Sequence, residues 1–164
     1  MIGPGRMDGA PWDPPGRTVS NEVWEEIGIA LESPHPLAAI EQLYGSRVAV
    51  ALGRPDVEGL ATVSLDGSAY GRGLRLEAER ADTFSPRFRG PPTWPPLPFD
   101  ERISIAIELH DRDAGGSADE IATVVIRDED VLAALAEEGV HRISFAAQSN
   151  RQLLFVGISA ARAR

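Results

Sequence analysis

Apolar residues recur along the chain with two different periods, and the change from one to the other predicts its elements. Val23, Trp24, Ile27 and Leu31 fall at three- and four-residue steps, the spacing of an amphipathic helix, with Ser20 or Asn21 as its N-cap. Ser33-Pro34-His35-Pro36 ends that element, because a residue before proline is pushed out of the helical region. Leu37, Ile40, Leu43 and Tyr44 form the stripe of a second helix, and Gly45 closes it.

From there the period drops to two. Val48, Val50 and Leu52 predict a strand over 47–52, and Leu60 to Leu65 predicts another. Asp66-Gly67 then supplies the two residues that tolerate positive φ in a tight hairpin turn. The return strand over 68–79 carries Gly71 and Gly73 around Arg72, which predicts a bulge or bend. Ile103, Ile105, Ile107 and Leu109 place one apolar face on a strand over 101–110, with Ser104, Ala106, Glu108 and His110 on the other.

The densest apolar stretch runs from Ile121 to Ser159 and is the expected core. A strand over 121–126 leads to Asp128, Glu129 and Asp130, acids suited to the positive end of a helix, which Gly139 should end. Val140 to Ala147 and Leu153 to Ile158 read as two strands joined by Gln148-Ser149-Asn150-Arg151, the second apolar enough to be covered on both sides. The expected fold class is α+β: a single domain over 18–164, with a largely antiparallel, curved sheet of about seven strands and two or three packed helices. Residues 1–17, dominated by glycine and proline with Trp12 as the one large apolar side chain, read as a disordered N-terminal tail.

Composition narrows the function classes. The 164 residues include no cysteine, so disulfides, thiolate metal sites and a cysteine nucleophile are excluded. No apolar run suits a membrane span or signal peptide, and a cytoplasmic protein is expected. The net charge of −9 argues against nucleic acid and anionic membranes as partners and fits a basic protein partner, or solubility alone. All 16 cationic side chains are arginine.

Two constellations carry candidate chemistry. Glu108, His110, Asp111 and Asp113, with Asp119 and Glu120 beyond, have residue types that bind a divalent cation. The opening resembles a calcium loop but fails at Gly115 and at Ala122, where a third ligand and the closing glutamate belong. Glu108 and His110 also share a strand face as a possible acid–base pair. Neither a nucleophile elbow, a metalloprotease helix nor a phosphate-binding loop is present. His35 between prolines reads as a solvated loop residue and His141 as a strand-edge residue bonded to backbone.

The second constellation is Arg72, Arg75, Arg80, Arg87 and Arg89 among Phe84, Phe88 and Trp94. Of these, Arg72, Arg87 and Arg89 are the candidates for holding an anion, with Glu77, Glu79 and Asp82 close enough in sequence to neutralise the group. The proline-rich connection over 80–100 either wraps the sheet or offers polyproline to a partner.

Function is therefore expected to be that of a non-enzymatic acidic binding protein, an inhibitor, immunity-type protein or adaptor, acting without a cofactor on a basic protein partner. Phe88, Trp94 and Phe99 would contribute burial at the contact, and Asp111, Asp113, Asp119 and Glu120 would set association rate. The alternative is a small metal-dependent hydrolase or ligand-binding domain using the His110–Glu120 loop.

Overall fold

Four antiparallel strands form the main sheet of the computed structural model, which describes residues 1–6, 10–12, 19–45, 53–80, 83–88, 102–112, 118–145 and 152–162. They are β1 (Val57–Leu65), β2 (Ser68–Glu77), β3 (Ile103–Arg112) and β4 (Ala118–Arg127), in the order β2-β1-β3-β4. Asp66 and Gly67 both have positive φ, 52° and 74°, as the hairpin between β1 and β2 requires. The predicted bulge is present. The β1–β2 register slips between Ala61 and Val63, and Gly71 opposite the slip has φ 73°.

Helices α1 (Asn21–Leu31) and α2 (Pro36–Gly45) pack on each other, burying Ile27 and Ala30 from the first and Ile40 and Tyr44 from the second. Ser20 occupies the N-cap of α1 in extended backbone, without the expected side-chain cap. Helix α3 (Asp128–Ala136) follows β4 directly, and its acid Asp130 accepts the N–H of Arg127 at 3.1 Å, so the first turn is capped from within. α3 then delivers the chain to β5 (His141–Ser144), which pairs antiparallel with β6 (Phe155–Ile158). No described helix is long and apolar enough to cross a membrane.

The α+β class and the mostly antiparallel pairing match the expectation, while the single seven-stranded sheet does not. Among the described residues there are six strands in two sheets of four and two, because α3 redirects the chain and β5 takes β6 as its partner rather than β4. The strand expected over 47–52 and the turn over 148–151 lie outside the described residues. The last strand is shorter than expected and not enclosed on both faces: Leu153 and Leu154 are buried, whereas Phe155, Val156 and Ile158 are half-buried.

In place of the loose tail expected at the N-terminus, the described leading residues belong to the core. Ile2 and Trp12 are fully buried. Ile2 bridges Leu153 in antiparallel fashion and donates its N–H to Phe84 O at 2.6 Å, and the Leu154 N–H donates to Met1 O at 2.9 Å. The Trp12 indole N–H reaches Gly3 O at 3.0 Å and the Tyr44 hydroxyl reaches Ile2 O at 2.8 Å, so these two buried carbonyls have donors. Tyr44 also stacks on Phe84, ring centroids 4.7 Å apart. Burial pushes the Tyr44 hydroxyl well above its ordinary pKa, so it acts as a donor.

Candidate interaction surface

Strand alternation separates the proposed cation ligands. Ile103, Leu109 and Asp111 are buried on the face of β3 that meets the core, while Glu108 and His110 point to the open face. Asp111 is fully buried, and its Oδ1 accepts the Asp56 N–H at 2.7 Å. This carboxylate fastens the start of β1 to the end of β3, and it neither joins His110 in a metal site nor reaches a partner at the surface. Asp113 lies outside the described residues. Among those described, no three His, Asp or Glu side chains converge as ligands for a metal ion.

The open face instead carries a register-aligned row. Glu77, Glu58, His110 and Glu120 sit opposite one another across β2, β1, β3 and β4. Arg75 answers Glu58 at 3.4 Å and Glu77 at 3.6 Å, and Arg112 stands 3.7 Å from Glu58. Glu120 accepts the Thr123 hydroxyl at 3.1 Å. The result is a mixed-charge, largely exposed sheet face in which acids and arginines answer each other.

The remaining candidates are scattered. Asp119 is half-buried and ion-paired with Arg6, leaving Glu120 as the one exposed acid among Asp111, Asp119 and Glu120. Arg72 stands exposed in the β2 bulge. Arg87 stands exposed beyond the far end of that strand, where Ala78 bridges Phe88, a separation of roughly 20–25 Å along the strand. The two do not form one anion site, and Arg89 lies outside the described residues. Phe88 is half-buried against the core, and Trp94 and Phe99 lie outside the described residues.

What sequence reasoning missed is a segregation of charge by layer. Glu22, Glu25, Glu26, Glu32 and Glu41 are exposed on α1, its C-cap and α2, and no arginine falls between Arg17 and Arg47. None of the five has an ion-pair partner among the described residues, in contrast to Glu58, Glu77, Asp66 and Asp119. The signal was present in the spacing of arginines, which a whole-chain net charge averages away. Beside these glutamates Ile29 is 71% exposed.

The fold is α+β, and among the described residues the exposed glutamates of α1, its C-cap and α2 have no ion-pair partner. Compared with known proteins, the chain matches no family model, no curated protein and no solved structure.

Proposed function

We propose that the protein is a non-enzymatic acidic binding protein, an inhibitor, immunity-type protein or adaptor, that acts on a basic protein partner through its helical layer. The observation carrying this reading is that the exposed glutamates of α1, its C-cap and α2 have no ion-pair partner among the described residues, whereas Glu58, Asp66, Glu77 and Asp119 of the sheet and its turn meet arginine and Glu108 and Glu120 do not. Unpaired like charge on one surface raises the rate of encounter with a body of opposite charge and repels phosphate backbones. The hydrolase alternative loses support because Asp111 lies on the other face of β3 from Glu108 and His110.

Affinity capture from the native source tests the reading, comparing the natural chain with one carrying Glu22→Gln, Glu25→Gln, Glu26→Gln, Glu32→Gln and Glu41→Gln. A basic protein recovered by the first and lost by the second supports it. Equal recovery by both moves the interface off the helices, and turnover of a small substrate with no protein recovered replaces binding by catalysis.

A further inference from the structure

Ile29 is the most exposed large apolar side chain among the described residues, at 71%. Glu25 and Glu26 lie one turn before it and Glu32 one turn after, so it stands within an acidic ring on one helix face. This face is a shallow, open surface bordered among the described residues by Asn21, Trp24, Glu25, Gly28, Ile29 and Glu32.

The spacing of these residues is the one helix geometry gives to neighbouring surface positions. Asn21, Trp24, Glu25 and Gly28 stand at i, i+3, i+4 and i+7, and so do Glu25, Gly28, Ile29 and Glu32. Each set of four is the hole that receives one side-chain knob from a facing helix. Gly28 belongs to both holes and adds no side chain to either.

Four features of α1 work against the helix standing alone. Gly28 lowers its propensity, Ile29 is wetted, Glu22 faces like charges at Glu25 and Glu26, and Glu32 opposes the negative end of the dipole with no basic residue in the last turn. One occupant relieves the last three. We infer that this face of α1 is a docking seam for an amphipathic helix of a basic partner. Two aliphatic knobs four residues apart would fill the holes over Gly28, and flanking lysine or arginine side chains would reach Glu22, Glu25, Glu26 and Glu32. A second copy of the chain fits poorly, since it would set glutamates against glutamates with no arginine on either helix in reply. The inference rests on the binding reading above and names its surface. A helix of 11 residues gives a small contact, so binding through this seam is expected to be weak and salt-sensitive.

The test uses the full chain and three synthetic helical peptides: one with leucines at i and i+4 flanked by lysine and arginine, one of the same composition with its leucines dispersed around the helix, and an acidic counterpart of the first. Binding is followed at low salt by amide chemical shifts. The patterned basic peptide is expected to bind saturably, with shifts centred on residues 21–32. Ile29→Ser should weaken it about tenfold. Glu25→Arg with Glu32→Arg should transfer the preference to the acidic peptide. Because Ile29, Glu25 and Glu32 are exposed, melting temperatures should hold, separating these losses from unfolding.

Patterned and dispersed peptides binding alike, or shifts centred elsewhere, would overturn the seam and leave the binding reading standing. No basic peptide binding at low salt would overturn both. Self-association abolished by Ile29→Ser would make a second copy the occupant and overturn the inference.

Discussion

Tyr44 joins two distant parts of the chain through one hydroxyl. Its O–H donates to Ile2 O in a buried setting, so Tyr44→Phe leaves that carbonyl without this donor and is expected to cost about 1–3 kcal/mol in urea unfolding. The Met1 amine is subject to the same environment with a charge added. It donates to Phe155 O at 2.6 Å, and burial lowers its pKa from 8.0 to about 5. Between those values the unfolded chain binds more protons than the folded one, so stability should rise with pH across that window. As pH falls from 8 toward 5 this contribution is lost, at up to roughly 1.4 kcal/mol per pH unit, and it changes no further below the folded value. Denaturant midpoints at several pH values would show the slope, and a flat profile would remove this account of the amine.

The sequence does not decide the docking of Ile2 and Trp12, for a physical reason. Isolated large side chains in a glycine- and proline-rich stretch leave no periodic trace, and docking is decided by whether each finds its own cavity and hydrogen-bond partners. Gly59 was equally silent. A Cβ there would lie 2.4 Å from Glu108 O and 2.9 Å from a Leu109 methyl, so β1 and β3 meet closely only because the side chain is missing. Gly59→Ala is expected to destabilise by about 1–3 kcal/mol, read as a lower melting temperature, because the nearer neighbour is backbone and cannot rotate aside.

At the scale of elements, features set by adjacent residues were legible in the sequence and those set by distant pairing were not. The turn at Asp66-Gly67, the bulge around Arg72, α2 and the acid-led start of α3 follow from local backbone preference, and all are present. The cap on α3 gives a quantitative check. Asp130→Ala removes the acceptor for the Arg127 N–H and should cost about 1 kcal/mol, with faster amide exchange confined to the first turn of α3. The split into two sheets depends on which strand accepts β5, and no local pattern specifies it. The burial of Asp111, by contrast, was within reach: it has the same parity on β3 as Ile103, Ile105, Ile107 and Leu109, and two-residue alternation carries it to the apolar face. Grouping acids by proximity in sequence concealed that.

At the scale of the whole molecule, the exposed glutamates of α1, its C-cap and α2 have no ion-pair partner among the described residues, whereas Glu58, Asp66, Glu77 and Asp119 of the sheet and its turn each meet an arginine. The net charge of −9 describes neither. The same scale brings out the position of the first residues. Met1 and Gly3 bond to residues 152–155, with Ile2 set against Leu153 between them, and Ile2 itself accepts from Tyr44 and donates to Phe84. Contacts of such sequence separation form late, because the intervening chain must be closed before they return any energy. A chain growing from its N-terminus therefore carries Ile2 without its partner until Leu153 has emerged, and the α1–α2 pair and the β1–β2 hairpin can form well before the core is sealed. A chain truncated after Phe145 should keep those local elements while protease cuts its first residues freely. Protection of those residues in the truncated chain would mean that Phe84 and Tyr44 hold them without the last strand. In kinetic terms, a segment made ahead of its partners is locked in place only once they have been made.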